Sequence, residues 1–482
     1  MVAEAFAALV LVPLVAACLI LLLPGRARWL AVMAGLLPML PAMVVLTGEL
    51  LREGPVRLAI AGFDAPLGIV WYLDALSAVL VWLNVGIMVV AGLHAATRYR
   101  IDNRDGQHFW LLWLLLASAM NALLLSSDLF NLFVTLELVT LASIGLLVID
   151  RKPAALRAAV RYLVLALLGS LLYLLGVALI YGHTGTLDLY LVGQVREPDG
   201  LSRTALVLMT FGLLLKAAVF PLHGWLPAAH GNAPGPVSAI LSALVVKVAL
   251  YVVWRLWLWT GAEWDLPLAL FTLGLLGAGA IVYGSLLAFM QQRLKMIIAY
   301  STVAQLGYLM LLFPLLGGVA FQAATYHLLS HGLAKAAMFL AAANLLHRMG
   351  SDRLEHLRGV DRRAPLEVFT LALAGVSILG LPPSGGFIAK WLFVETALEQ
   401  GQWLWIVVIL LGGLLAAGYL FRALAVICTR PVDCDAPRPA LAADHLAGLT
   451  ALALALAALV VGLTPEPILG LLASGWPPEG GR

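Results

Sequence analysis

Runs of about 20 apolar residues follow one another along nearly the whole chain, each long enough to cross a bilayer as a helix. Hydrocarbon offers no partner for backbone N–H and C=O groups, so such a chain must satisfy them within its own helices. Hydrophobic residues make up 62% of the chain and charged residues 11%, well below the roughly 25% charge of soluble domains. No hydrophilic stretch is long enough for a soluble domain. The expected fold is therefore an all-α polytopic membrane protein. The spacing predicts about 14 segments, at 4–23, 29–50, 72–97, 108–126, 128–149, 158–182, 204–221, 236–260, 266–290, 296–313, 318–347, 366–400, 404–429 and 444–473. The N-terminus lacks a basic leader region, so Ala5–Pro24 is expected as a first span rather than a cleaved signal. The net charge of +3 carries no nucleic-acid signature, and Cys18, Cys428 and Cys434 form no metal or redox spacing.

The exposed basic residues test the count. Loops after odd-numbered segments carry nineteen arginines and lysines. Loops after even-numbered segments carry five: Arg52, Arg57, Arg196, Arg203 and Arg255. The positive-inside rule then puts the odd loops in the cytoplasm and both termini on the other side. A segment miscounted in the middle would scramble this asymmetry.

Two segments are interrupted, the seventh by Phe220-Pro221-Leu222-His223-Gly224-Trp225-Leu226-Pro227 and the twelfth by Leu381-Pro382-Pro383-Ser384-Gly385-Gly386. Proline removes a backbone donor, and the freed carbonyls are tolerated at membrane depth only where protein or water covers them. The breaks lie five segments apart. Interrupted helices at matching positions point to inverted repeats. The expected organisation is an N-terminal part (1–107), a first repeat (108–260, segments 4–8), a second repeat (266–429, segments 9–13) and a C-terminal helix with tail (430–482).

The chain has six lysines, and four lie in apolar stretches: Lys216, Lys247, Lys335 and Lys390. A glutamate, Glu137, lies in a fifth. At about 1.5 Å of rise per residue, Glu137, Lys216 and Lys247 fall about 14–18 Å along their segments, near the midplane. Ionisable groups there are costly and read as functional unless they merely pair. A static Glu137 pair would leave two central lysines without a partner. His327, His331 and Lys335 recur at steps of four and share one helix face. Such a column can pass protons through hydrogen-bonded water. Metal binding by the two histidines lacks an obvious third ligand. Lys390 follows the second break, where it either ends a path or caps freed carbonyls. His223 and His230 flank a Pro-rich link after segment 7, where they could gate proton uptake or simply hydrogen-bond the loop. Asp74 and Asp128 are expected as N-caps. No P-loop, dinucleotide fingerprint, haem or iron–sulfur spacing occurs, so no cofactor is expected. The chain must use an ion gradient or be driven by a partner.

Several of these stretches resemble the antiporter-like membrane subunits shared by Mrp cation/proton antiporters, respiratory complex I and membrane-bound hydrogenases. They are Asp128-Leu129-Phe130-Asn131-Leu132-Phe133-Val134-Thr135-Leu136-Glu137, Lys216 through Pro227, Pro234-Gly235-Pro236-Val237-Ser238-Ala239 followed by Lys247, and Arg293 through Thr302. The resemblance runs over about 125–425. It implies fourteen helices, a prokaryotic plasma-membrane complex with other membrane subunits as partners, and no cofactor in this chain. It implies a proton pathway in which a Glu137–Lys216 pair couples to Lys247, then His331 and Lys335, then Lys390. Asp-Leu-Phe-Asn-Leu-Phe in segment 5 and Gly185-Thr186-Leu187-Asp188 are most similar to the Mrp D-type subunit, exchanging Na+ or K+ for protons. The alternatives are a proton-pumping subunit of a redox-driven complex (NADH:quinone oxidoreductase-like or hydrogenase-like) and a stand-alone carrier of a small solute.

Overall fold

Helices set the architecture, because every backbone group in the apolar stretches finds its partner four residues away. A computed structural model describes residues 1–194, 199–259, 264, 266–429 and 444–475. Arg196, Arg430, Arg438 and Cys434 lie outside the described residues. The chain enters through α1 (Val2–Leu22) and a bent second span, α2 (Ala27–Leu36) with α3 (Met39–Glu53). A short antiparallel hairpin, β1 (Val56–Ala59) and β2 (Val70–Leu73), leads into α4 (Ala75–Ala96). Next come α5 (Arg104–Leu124), α6 (Leu129–Leu147), α7 (Pro153–Thr184) and the short α8 (Leu189–Gly193).

The seventh span is divided into α9 (Gly200–Lys216) and α10 (Leu226–Asn232). The eighth joins α11 (Gly235–Ile240) to α12 (Val246–Trp259) through a π-turn at Leu241–Val245. Then follow α13 (Pro267–Met290), α14 (Leu294–Met310) and α15 (Gly318–Met349). The twelfth span is divided into α16 (Pro365–Leu379) and α17 (Gly385–Glu399). The chain ends with α18 (Trp403–Cys428), α19 (His445–Leu463) and α20 (Glu466–Ser474). Among the described residues, 11 helices are long and apolar enough to cross a membrane. The α9–α10 pair, α14 and the α16–α17 pair occupy the three remaining expected positions.

Local chemistry starts and stops these helices. Asp74 accepts from the Ser77 amide while the Ser77 hydroxyl accepts from the Asp74 amide, a reciprocal capping box. The Asp128 carboxylate accepts from the Asn131 amide. Gly185 and Gly350 close α7 and α15 with positive φ. Small residues set the close crossings. A Cβ on Gly212 would fall 2.3 Å from the Gly169 carbonyl oxygen, so α7 and α9 meet almost backbone to backbone.

The bundle has a protein-facing interior. The eighth span is buried along its whole length, and α15 is nearly so. Helices that are apolar all round need cover all round. For α15 the cover comes from α4, α11, α14, α16, α17 and α19, with α20 beside them.

Two basic residues expected in loops are inside the fold. Arg255 belongs to α12, is 3% exposed, and forks onto Asp74 at the start of α4, with Nη2 2.6 Å from Oδ1. Its Nε donates to the Tyr251 hydroxyl at 3.0 Å. The apolar count missed this because a fully paired arginine at a helix end looks, in sequence, like one facing water. Lys295 is likewise buried, donating to the Ala233 carbonyl at the end of α10. The loop asymmetry survives without both.

Asp74→Ala would strand the Arg255 guanidinium in the core, which costs about 3–5 kcal/mol. The purified assembly should unfold at a clearly lower temperature, and the double replacement Asp74→Leu with Arg255→Met should recover most of the loss.

Candidate functional site

Five of the chain's six lysines are buried, among them the four expected from the sequence. Capping by Asp128 places Glu137 two turns into α6. Its Oε1 lies 2.6 Å from Nζ of Lys216, the last residue of α9. Lys216 also donates to Thr140 Oγ1 at 3.2 Å, and the Ser170 hydroxyl donates to Glu137. The lysine side chain is 5% exposed and the glutamate 19%, so the pair closes the interior but touches its edge. The chain leaves α9 immediately after Lys216, and Trp225 Nε1 donates to the Leu215 carbonyl at 3.0 Å.

The centre is Lys247, fully buried. A π-turn, Leu241–Val245, lies just before it. Lys247 Nζ donates to that region's Ala243 oxygen at 2.8 Å and approaches Leu328 O at 3.5 Å. Backbone oxygens, not a carboxylate, hold this ammonium.

On α15, steps of four stack His327, His331 and Lys335 as expected. The two imidazoles lie parallel, 5.8 Å apart with 2° between their planes. Lys335 donates to the Ile298 carbonyl at 3.1 Å and to the Ser301 hydroxyl, both on α14. His331 is within electrostatic reach of Lys247, Lys335, His327 and Lys390. All four imidazole nitrogens of the pair are buried without a protein hydrogen-bond partner. Such unpaired buried nitrogens are uncommon, since buried polar groups almost always bond something.

Lys390 ends the line. Ser384 caps α17, and one turn later Lys390 Nζ donates to Ile378 O (3.0 Å) and Leu379 O (2.9 Å), the last carbonyls of α16. The ammonium also sits 4.8 Å from the ring centre of Tyr308, whose other neighbour is His327 at 5.2 Å.

The structure brings Glu137 together with Lys216, and His327, His331 and Lys335 together with Lys247 and Lys390. The two candidate gating histidines separate. His223 lies at the first break between Phe220 and Tyr283. His230 is not in a link: it sits in α10, fully buried, stacked on Phe339 at 4.8 Å and within reach of Lys295 and Lys335. Sequence reasoning missed Thr140, Ser170 and Tyr308, which are common types in membrane helices. It also missed Lys295, although a chain that uses arginine at its surface makes every lysine worth inspecting.

Broken spans with a lysine at each break define an antiporter-like membrane protein. A family profile described as NADH:quinone oxidoreductase/Mrp antiporter, transmembrane, matches residues 126–416, and the chain belongs to that family. It is 34% identical over 405 residues to the N-type subunit of NADH-quinone oxidoreductase from Desulforudis audaxviator, covering 82% of this chain and 80% of that one. It is 29% identical over 382 residues to the D-type subunit of the Na(+)/H(+) antiporter from Alkalihalophilus pseudofirmus, covering 78% and 77%. A chain of the Mrp complex from Dietzia sp. DQ12-45-1b superposes with a TM-score of 0.89 at 26% identity, covering 98% of this chain and 96% of that one.

Gly380 ends α16 with φ +77°, and a Cβ there would meet Lys390 Cδ at 2.6 Å. Gly380→Ala should therefore displace the Lys390 ammonium from its carbonyls and lower transport by the assembled complex several-fold, while Gly182→Ala, in open space, leaves it unchanged.

Proposed function

We propose that this chain is the proton-translocating subunit of a multi-subunit prokaryotic membrane complex, and specifically the D-type subunit of an Mrp-type antiporter exchanging Na+ or K+ for protons. The observations that carry the reading are the buried Glu137–Lys216 pair and the buried cluster of Lys247, His331, His327, Lys335 and Lys390, which we read as one line. The Mrp assignment is supported by the likeness to the Dietzia Mrp chain across nearly its full length. The 34% identity to the N-type oxidoreductase relative favours a second reading, a proton-pumping subunit of an NADH:quinone oxidoreductase-like complex. Mass spectrometry of co-purified partners separates the two. Small antiporter subunits support the first, and iron–sulfur subunits support the second.

The proposed cycle uses charge at each step. Protonating Glu137 removes its attraction for the Lys216 ammonium. The released charge then acts on Lys247, and so on along the line. Two unit charges about 10 Å apart in an effective dielectric of about 20 interact by about 1.7 kcal/mol, which biases a neighbouring protonation more than tenfold. Imidazoles with open nitrogens are suited to pass the proton through water. The two breaks, five spans apart, are read as equivalent positions in inverted repeats, 108–260 and 266–429, with both chain termini on the non-cytoplasmic side. In that frame His223, at the first break, is the group that gates uptake, and His230, buried in α10, is a second candidate deeper in the fold.

In proteoliposomes of the intact complex, Lys247→Ala and Glu137→Ala should each reduce cation-driven proton flux at least tenfold while partner subunits remain bound. Unchanged flux in both would overturn the conduction reading.

A further inference from the structure

The two breaks hold their lysines by different chemistry. Lys216 has a carboxylate at 2.6 Å. Lys390 has two carbonyl oxygens and, on another side, the face of Tyr308. We infer that Tyr308 is a positioning residue for the proton step at Lys390. Its ring face supplies the negative end that a carboxylate supplies at the first break, and the same ring neighbours both the ammonium and His327. The inference rests on the proposed proton pathway and adds to it a residue that touches two of its members.

Geometry fixes which part of Tyr308 acts. The residue is fully buried on α14. Its hydroxyl donates to the Ile409 carbonyl on α18 at 3.0 Å and is packed against Gly412, where even a Cβ would come within 2.4 Å of the oxygen. The hydroxyl is thus committed to α18 and serves to hold the ring. The ring face is what the Lys390 ammonium meets, at 4.8 Å from the centroid, inside the range where a desolvated cation and an aromatic quadrupole attract strongly. His327 approaches the same ring at 5.2 Å with a 36° tilt.

A carboxylate in this position would bind the ammonium as a salt bridge and hold it. A ring attracts the cation without accepting its proton. Lys390 can therefore stay charged at the break yet lose its proton without leaving an unpaired anion behind.

The test changes the ring's electrostatics at constant shape. Tyr308→Phe in the intact complex keeps the face and loses only the bond to Ile409, and its proton flux is the reference for the series. Replacing Tyr308 with phenylalanines carrying one, two and three ring fluorines drains the face stepwise. Flux should then fall stepwise, by about tenfold at three fluorines. A series of equal rates, normalised to assembled complex, overturns the inference and leaves Tyr308 as packing. If Tyr308→Phe fails to assemble, fluorinated tyrosines at the same position, which keep the Ile409 bond, carry the same comparison. Lys390→Ala is the control for the underlying pathway. Flux that survives it sinks the pathway reading, whereas flux lost there with a flat fluorine series sinks only the role of the ring.

Discussion

A lysine ammonium surrounded by hydrocarbon needs a partner or water, and the fold is arranged around supplying one at four places. Lys390 takes carbonyls at the break between α16 and α17, and Lys247 takes one at the π-turn between α11 and α12. Lys216 takes side chains just before the break after α9, and Lys335 shares the Ile298 carbonyl inside α14. Each irregularity lies close to a buried lysine. The freed oxygens are covered by protein, which is the condition under which the bilayer tolerates them.

The four lysines are nonetheless held unequally. Lys216 has a carboxylate and a threonine, Lys247 and Lys390 have carbonyls, and Lys335 has a carbonyl and a hydroxyl. Only the first can exchange an ion pair for a neutral pair without exposing an unpaired charge. That makes the Glu137 end the natural place for an outside event to act, and its partial exposure fits. The carbonyl-held lysines respond to whatever charge stands nearby. Fixed ion pairs of the ordinary kind lie elsewhere: Asp74–Arg255 joins α4 to α12 near their ends, and Arg348–Glu367 joins α15 to α16.

Much of this was legible in the sequence because hydrocarbon imposes length and polarity so strictly. The spans, both breaks, and the caps at Asp74 and Asp128 follow from apolar run length, proline and helix-start chemistry. The stripe of His327, His331 and Lys335 follows from the helical repeat. What escaped was set by contact between distant segments. Arg255 looked like a loop residue because its partner lies 181 positions away. His230 looked like a residue flanking a Pro-rich link because Pro227, Pro234 and Pro236 obscured the short α10. Tyr308 carries no charge and no unusual spacing, so nothing marked it until α15 and α17 closed on either side of it.

The central claim is that Glu137, before the first break, and Lys390, after the second, belong to one route. The most direct measurement is proton flux through the intact complex carrying Glu137→Gln, Lys390→Ala, or both. One route in series predicts that each single variant loses nearly all flux and that the double variant loses no more. Two independent routes would leave each single variant with a substantial fraction of the flux and only the double variant silent, and that result would contradict the account.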